Sequence, residues 1–291
     1  MKLPTLLSFS TLFLLCSANS SVSVARPRQI EASTQQHGAE LPFHLSPGSL
    51  VRVTGRIGTQ TDLRFAFDTG ASRSIIDSKI AEKLRLNRQP AHTFNFDRTL
   101  NWQQATVPEV GFGPIRASNV DMLVGNLAEY SEYARDIDVI VGVDLLRLAN
   151  FTIDYDIRKI VYHSFNEPTF EADPLSNCLF LEILVQGRPI RLIVDTGFPG
   201  ILLFEERLLA SVSNLVMAKD RASVIVGRRL RAQQTTLRGV IIGSKQRNVS
   251  VLLATAPASD ILPGIVGVIG LPPLHAHRVN CNFVEQTLTW D

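Results

Sequence analysis

Two Asp-Thr-Gly tripeptides, at residues 68–70 and 195–197, are the parts of this sequence best suited to chemistry. Each follows an apolar stretch, LRFAF before Asp68 and IRLIV before Asp195. Such a stretch predicts a buried strand, and a threonine hydroxyl and a glycine after it favour a tight, hydrogen-bonded turn. Each tripeptide therefore predicts a carboxylate held in a fixed direction at the end of a strand.

A pair of such aspartates indicates acid–base chemistry. Two ionised carboxylates about 3 Å apart, at an effective dielectric of about 20, would repel by about 5 kcal/mol. One of the two therefore keeps a proton, and the titration belongs to the pair. The ionised member can take a proton from water while the neutral member donates one to a carbonyl oxygen. If the fold brings them together, Asp68 and Asp195 are the predicted catalytic residues.

The elements that must position these aspartates are present twice. EVGFGPIRASNVDMLV at 109–124 resembles GVIIGSKQRNVSVLLA at 239–254, and VIVGVDLL at 139–146 resembles GVIGLPPL at 267–274. From Asp68 to Gly142 is 74 residues (142 − 68), and from Asp195 to Gly270 is 75 (270 − 195). The shared spacing predicts two copies of one structural unit, which must face each other if the aspartates are to meet.

Short alternating stretches rich in β-branched residues, such as LVRVTGRIG and FTIDYDIRKIVYH, predict strands separated by turns. Helical periodicity is brief, in DSKIAEKLRL at 77–86 and FEERLLASV at 204–212. The predicted fold class is therefore all-β, with one short helix in each of two lobes. The predicted boundaries are a signal peptide at 1–25, a flexible lead-in at 26–47, lobes at 48–163 and 178–291, and a linker at 164–177.

The motifs FAFDTGAS, VIVGVDLL and FTIDYD resemble the retropepsin-like aspartyl protease family, and the second half resembles a degenerate copy of the same pattern. Over about residues 48–291 the chain is similar to the bacterial two-repeat secreted members. The resemblance implies two small β-barrel lobes related by a pseudo-two-fold axis, with a substrate cleft between them. Because both aspartates lie in one chain, it also implies that a monomer is sufficient for the active site.

The resemblance assigns roles to residues at matching positions. It implies that the two aspartates form the catalytic pair, that a threonine beside each makes a hydrogen-bonded grip, and that glycines form the tight turns and pack behind the pair. The catalytic pair is then Asp68 and Asp195, and the threonines beside it are Thr69 and Thr196. The glycines of the tight turns are Gly70 and Gly197, and those packed behind the pair are Gly142 and Gly270. The resemblance also implies a flap at about 92–107, where Trp102 either closes over substrate or is a plain hairpin aromatic.

The second copy departs from the family pattern. Phe198 and Pro199 follow the second tripeptide, and a bulky ring beside a rigid proline is expected to narrow the cleft or shift the carboxylate. Asp144 has no acidic counterpart in the second half. Two functions therefore stay open. One is an aspartic-type endopeptidase acting on polypeptides without metal or cofactor, and the other is a secreted binding or regulatory module with little turnover.

Composition disfavours other classes of partner. The formal net charge is only +2, so there is no basic excess with which to neutralise phosphates, and nucleic acid is not expected as a partner. His275 and His277 lack a second ligand cluster with metal spacing and are predicted to face solvent. Arg228 and Arg229, in the second-lobe counterpart of the flap, are predicted to form a solvated face rather than a substrate contact.

The N-terminus has the pattern of a secretory signal. Lys2 precedes the short apolar run LPTLLSFSTLFLLC, and small residues follow, with cleavage expected after Ala18 or Ala25. A secreted or periplasmic location without stable membrane insertion is therefore expected, and lipoprotein attachment at Cys16 is the less favoured reading. The cysteines remaining after cleavage, Cys178 and Cys281, either pair or are two small buried side chains.

Overall fold

The computed structural model describes residues 15–16, 38–95, 98–130, 134–166, 178–212, 215, 222–226, 230–254 and 263–291. Strands account for most of these residues, and no helix among them is longer than seven residues. The predicted all-β fold class is therefore confirmed.

The first repeat is built from strands joined by turns and three short helices, where the sequence predicts one helix. Its strands, with three that precede it, are β1 (Leu15–Cys16), β2 (Glu40–Pro42), β3 (His44–Leu45), β4 (Val51–Ile57), β5 (Gln60–Phe67), β6 (Ile75–Asp77), β7 (Gln89–Asn95), β8 (Arg98–Phe112), β9 (Ile115–Gly125), β10 (Val139–Val141), β11 (Ala149–Asp154) and β12 (Lys159–Phe165). Its helices are α1 (Ser78–Lys83), α2 (Leu127–Tyr130) and α3 (Val143–Leu146), with a 3-10 turn at Pro47–Ser49.

Six strands of this repeat close into a barrel in the order β4-β5-β10-β6-β9-β8, because β8 returns to pair with β4. The β5–β10 and β6–β9 pairs are parallel, and the others are antiparallel. Along β4, buried Val51, Val53 and Ile57 alternate with more exposed residues. This period-2 pattern fills the barrel interior with branched aliphatic side chains.

The second repeat builds a barrel of the same topology. Its elements are β13 (Phe180–Val185), β14 (Arg188–Val194), β15 (Ile201–Phe204), α4 (Glu205–Ser211), β16 (Ala222–Val226), β17 (Leu230–Ile242), β18 (Lys245–Ala254), β19 (Gly267–Ile269), a 3-10 turn at Pro272–Leu274, β20 (Arg278–Asn282) and β21 (Thr287–Trp290). The barrel order is β13-β14-β19-β15-β18-β17, closed by the β17–β13 pair. The two lobes are therefore retropepsin-like barrels related by a pseudo-two-fold axis.

A further sheet joins the lobes, in the strand order β2-β12-β11-β20-β21-β13. At its centre β11 of the first lobe runs antiparallel to β20 of the second, with Thr152 opposite Asn280. Phe151 packs at this junction against Phe67 of the first lobe and Phe283 of the second, at ring-centroid distances of 5.9 and 5.8 Å. Both hydrogen bonds and a shared apolar core therefore connect the lobes.

The predicted flexible lead-in needs correction over its described part. Residues 38–47 carry β2 and β3, and Leu41 and Phe43 are buried in the main core. The Glu40 carboxylate also forms an ion pair with Lys159. The alternation of exposed and buried residues in ELPFHL is typical of an edge strand, which the polar composition of the lead-in concealed. Residues 26–37 lie outside the described residues.

Other local predictions have definite outcomes. The predicted helices correspond to α1, which the Asp77 carboxylate caps through Lys79 N, and to α4, while the first lobe adds the single-turn helices α2 and α3. Residues 164–165 of the predicted linker belong to β12, and 167–177 lie outside the described residues.

Cys178 and Cys281 are both buried and form no disulfide. No helix in the described ranges is long and apolar enough to cross a membrane.

Candidate active site

The two aspartates lie at equivalent positions in the two lobes, each directly after a barrel strand. Asp68 follows β5 and Asp195 follows β14, and each is only 1% exposed. The parallel neighbour strand holds each backbone, because Asp68 N donates to Val141 O at 3.0 Å and Asp195 N donates to Ile269 O at 2.9 Å. Both carboxylates therefore directly follow buried strands, as the sequence predicts.

Each carboxylate is oriented by its own tight turn. Gly70 N donates to Asp68 Oδ1 at 2.9 Å, and Gly197 N donates to Asp195 Oδ1 at 2.7 Å. One residue further on, Ala71 N and Phe198 N donate to the backbone oxygens of Asp68 and Asp195, at 3.3 and 3.1 Å. The two turns therefore have the same hydrogen-bond pattern despite their different sequences.

Reciprocal hydrogen bonds between Thr69 and Thr196 join the turns. Thr69 N donates to Thr196 Oγ1 at 3.0 Å, and Thr196 N donates to Thr69 Oγ1 at 3.1 Å. Each hydroxyl also donates across the axis, Thr69 Oγ1 to Val194 O at 2.7 Å and Thr196 Oγ1 to Phe67 O at 2.8 Å. Because all these groups are buried, the grip fixes the position of one aspartate relative to the other.

Close contact between the turns brings the aspartates together. A Cβ atom at Gly70 would lie 2.4 Å from Cγ of Asp195, so only glycine permits the Asp195 carboxyl to sit against the first turn. Oδ2 of Asp68 is buried and receives no hydrogen bond from the described residues. A proton shared with the neighbouring carboxyl would satisfy this oxygen.

Burial changes the titration of both aspartates. Loss of hydration raises the pKa of Asp68 from 3.8 to about 7, against the lowering effect of hydrogen bonds from Asp195, Gly70 and Ala71. The pKa of Asp195 is raised well above 3.8, first by burial and then by the charge of Asp68 and its hydrogen bond. The two carboxyls therefore titrate as a coupled pair that keeps a shared proton well above the ordinary pKa of aspartate.

Gly142 and Gly270 pack behind the two turns, as the resemblance implies. A Cβ atom at Gly142 would lie 2.6 Å from the backbone carbon of Arg73, and one at Gly270 would lie 1.6 Å from Phe198 O. These positions thus have no room for a side chain. In the second lobe Gly270 N donates to Gly200 O at 2.8 Å, which ties the turn directly to the strand behind it.

The first lobe uses side chains for the same purpose. Ser74 Oγ donates to Asp144 Oδ1 at 2.6 Å and accepts a hydrogen bond from Gly142 N at 3.0 Å. The counterparts in the second lobe, Ile201 and Pro272, cannot make these contacts. The sequence shows that Asp144 has no counterpart in the second half, but the role of Ser74 was not predicted. Its position at the end of DTGASRS, immediately before a buried strand, could have indicated it.

Of the two alternatives for Phe198 and Pro199, a shifted carboxylate is wrong. The Asp195 carboxylate keeps its bond from Gly197 N, and its geometry matches that of Asp68. The Phe198 side chain is 1% exposed, as are the two aspartates themselves, and narrowing of the cleft stays a prediction.

Trp102 lies in β8, in the hairpin predicted to form the flap. Its half-buried ring packs against a cluster that includes Ala71, Ile75 and Ala91, and it occupies the space beside Gly125 of β9. These contacts are those of a hairpin aromatic, one of the two alternatives for Trp102. Its closure over substrate stays a prediction. Arg228 and Arg229 lie outside the described residues.

A metal centre finds no support in the described part of the chain, where no three His, Cys, Asp or Glu side chains are grouped to hold an ion. His277 Nδ1 instead lies 2.9 Å from Asp156 Oδ1, a contact that raises the pKa of His277. This exposed pair lies where the lobes meet, because Tyr155 N donates to His277 O.

Comparison with known proteins agrees with this geometry. Residues 53–145, from β4 to α3 and including Asp68, match the family described as aspartyl protease. A solved structure to which the chain is similar is a retropepsin-like aspartic protease from Rickettsia conorii, with 20% identity over 48% of this chain and 97% of that chain, and a TM-score of 0.30. No curated protein matches. The match over residues 53–145 confirms, for the first repeat, the resemblance to aspartyl proteases that was inferred from the sequence.

Proposed function

We propose that the protein is an aspartic-type endopeptidase in which Asp68 and Asp195 form the catalytic pair. The observation that supports this most directly is the reciprocal bonding of Thr69 and Thr196, which holds two buried aspartates side by side at the pseudo-two-fold axis. Such a pair supplies a general base and a general acid at one place, which is what hydrolysis of an unactivated amide requires.

One carboxyl of the pair is ionised while the other keeps a proton, and we propose Asp68 as the base and Asp195 as the acid. Ionised Asp68 takes a proton from water as the water oxygen bonds to the carbonyl carbon, while protonated Asp195 donates to the carbonyl oxygen. The tetrahedral intermediate then collapses as its C–N bond breaks, and the leaving nitrogen takes the proton held by Asp68. One hydroxyl of the intermediate returns its proton to Asp195, so that both carboxyls regain their starting states and one water is consumed.

Polypeptide is the proposed substrate, bound in extended form between the lobes with the β7–β8 hairpin above it. An extended chain can add hydrogen bonds along such a hairpin, which gives affinity that depends little on side chains. Because each lobe of one chain supplies one aspartate, a monomer is sufficient in this proposal, and neither metal nor cofactor takes part.

The test is to assay the mature protein on unfolded protein substrates with Asp68→Asn and Asp195→Asn as separate variants. Each should lower cleavage by about a thousandfold or more, because neither leaves a complete acid–base pair. Asp62→Asn, at an exposed position of β5 with a positive φ that asparagine tolerates, is the matched control and should cleave normally. Cleavage unchanged in either dyad variant would show that the dyad assignment is wrong.

The same assay bears on the binding or regulatory module. That function predicts that the folded wild-type protein binds polypeptide without cleaving it, and that both dyad variants bind equally well. The two carboxylates are oriented by matching hydrogen bonds from Gly70 N and Gly197 N, so turnover is the outcome that we expect.

Export to a secreted or periplasmic location is also proposed, on the pattern of the N-terminal 25 residues. Mass spectrometry of the exported protein should find a new N-terminus after Ala18 or Ala25. A product that retains Met1 in the membrane fraction would contradict this proposal.

A further inference from the structure

Arg73 connects the loop that follows the first Asp-Thr-Gly to the hairpin strand β8. Its guanidinium donates from Nη1 and Nη2 to Gln104 Oε1, at 3.3 and 3.4 Å, and from Nη2 to Asp121 O at 3.3 Å. Gln104 lies two residues after Trp102, so both side chains project from the same face of β8. One face of the hairpin strand therefore contacts the active-site loop.

Trp102 strengthens this connection through apolar contact. Its ring belongs to the cluster that contains Ala71, the residue directly after the first Asp-Thr-Gly. It also fills the space left by Gly125, where a Cβ atom would lie 2.5 Å from Cζ3 of the indole. The hairpin thus rests on the active-site loop through one guanidinium and one indole.

The loop transmits this contact to the catalytic side of the lobe. The backbone of Arg73 packs against Gly142, and the next residue, Ser74, bonds to both Gly142 N and the Asp144 carboxylate. Val141, adjacent to Gly142, accepts the hydrogen bond from Asp68 N. A continuous set of contacts therefore runs from β8 through Arg73 to the backbone of Asp68.

Strand register shows that the second lobe lacks this connection. Gln103 pairs with Val124 in the first lobe, as Gln233 pairs with Leu253 in the second. By this register and the spacing of the Asp-Thr-Gly turns, the first-lobe and second-lobe counterparts are Arg73 and Gly200, Trp102 and Ala232, Ala71 and Phe198, and Gly125 and Ala254. The second loop has no side chain at the Arg73 position with which to reach β17.

We propose that Arg73 is a positioning residue that couples the β7–β8 hairpin to the Asp68 loop, so that this hairpin, and not its second-lobe counterpart, is held in place to close over a bound polypeptide. The proposal rests on the proposed function and adds to it an asymmetry between the two hairpins. Arg73 acts here through Gln104 and the loop, without contact to the reacting atoms.

The kinetic test uses Arg73→Met, which keeps side-chain length and removes the donors. We expect KM for an unfolded polypeptide to rise about tenfold, the size of losing one modest hydrogen bond from a charged donor, while kcat changes less than about twofold. Arg73→Lys should recover part of the loss. A merely structural role would instead lower the active fraction, and so reduce apparent kcat at unchanged KM, and that result would overturn the proposal.

The matched control is Arg116→Met at the start of β9. Arg116 also donates to backbone oxygens, those of Gly113 and Ile115, but it lies at the other end of the hairpin strand from Gln104. Wild-type KM is expected for this variant. An equal rise in KM for both variants would contradict a specific role for Arg73.

Gln104→Met removes two of the three Arg73 hydrogen bonds from the strand side, leaves the one to Asp121 O, and keeps the test valid if Arg73→Met does not fold. If Gln104 acts through Arg73, the double variant should have the KM of Arg73→Met, because the loss of Gln104 has nothing left to remove. Multiplicative effects on KM would show that they act independently, against the proposal.

Amide hydrogen exchange separates this proposal from the proposed function. In Arg73→Met, amides of β7 and of β8 near Gln104 should exchange about tenfold faster than in the wild-type protein, while those of β16 and β17 stay unchanged. If β7 and β8 of Arg73→Met exchange at the wild-type rate, the coupling is refuted even if the protein is an active protease. If Arg73→Met exchanges faster but the wild-type protein cleaves no substrate, the coupling is supported and the proposed protease function is refuted.

Discussion

At the scale of single residues, the two aspartates are an energetic cost that the rest of the fold must offset. Both are almost fully buried, and burial raises both pKa values. The folded protein therefore binds more protons than the unfolded chain at a pH between the ordinary pKa of aspartate and about 7. By linkage, its stability falls as pH rises through that window.

The fall in stability with rising pH gives a prediction for Asp68→Asn. The raised pKa of Asp68 corresponds to a loss of up to about 4 kcal/mol between pH 4 and pH 7 in the wild-type protein. The variant lacks the ionising group, so its free energy of unfolding should fall less over the same range, and above about pH 7 it should exceed that of the wild type. Urea denaturation at several pH values measures this. The exposed Asp62→Asn variant should follow the wild-type curve, and a parallel curve for Asp68→Asn would contradict the prediction.

The same pKa shifts predict the pH range in which the proposed protease works. Activity requires one carboxyl of the pair ionised and the other protonated, so kcat/KM should rise through the first pKa of the pair, about 7 as burial sets it for Asp68, and fall through the second. The optimum is therefore expected at neutral pH or above. A profile of kcat/KM from about pH 3 to about pH 10 tests this. An optimum near the ordinary pKa of aspartate would show that the pair is better hydrated in solution than its burial indicates.

At the scale of elements, each active-site turn depends on the strand end behind it. Gly270 shows this most clearly, because its missing side chain lets Phe198 O approach. Gly270→Ala should therefore lower the free energy of unfolding by about 3 kcal/mol or more, the range of steric conflict with a buried backbone. Gly200→Ala is the control from the same turn, since its Cβ would make only ordinary contact with the Phe198 ring at 3.7 Å.

Chemical denaturation of the two variants decides this prediction. The control should change stability by less than about 0.5 kcal/mol. Equal stability of both variants would mean that the second turn can move away from Gly270, and that its hydrogen bond from Gly270 N is not a fixed feature of the site.

The sequence allowed most of the elements near the site to be predicted, because local signals define them. The apolar strands before Asp68 and Asp195, the turns after them and the glycines behind them are all encoded within short segments. The side-chain direction of Phe198 was not accessible in this way. A tight turn can direct the next side chain toward the core or toward the cleft, and the choice depends on the space in the assembled lobe, which no short segment encodes.

At the scale of the whole molecule, the lobes are joined by a continuous sheet and by the packing of Phe151. Separating them would expose the paired edges of β11 and β20 and break the bond from Phe283 N to Asn150 Oδ1. We therefore expect one cooperative unfolding transition for both lobes. The sequence has two tryptophans, Trp102 in the first lobe and Trp290 in the second, so each lobe has its own fluorescent reporter.

Trp102→Phe and Trp290→Phe leave one reporter each, and their urea midpoints should agree after correction for the small effect of each change on stability. Two well-separated midpoints would show that the lobes unfold independently. Expression of residues 178–291 alone gives a second measurement, and this fragment should not reach a stable fold because its strand β20 lacks its partner.

This joining sheet is also the part of the fold that the sequence predicted least well. Repeat spacing indicates two similar units, but the β11–β20 pairing connects residues more than a hundred positions apart and leaves no local pattern. The same limit applies to β2, whose buried Leu41 and Phe43 gain their environment only from β12 and the core beneath it. Long-range pairing of this kind depends on the assembled barrel, so composition alone suggested a flexible segment.

The difference between Arg73 and Gly200 has a consequence for engineering this protein. In an enzyme made of two identical chains, every substitution appears twice and alters both walls of the groove at once. Here each lobe has its own codons, so a change at position 73 alters the first lobe and leaves Gly200 of the second lobe as it was. If the protein is the proposed protease, selectivity on the two sides of the scissile bond can therefore be adjusted separately.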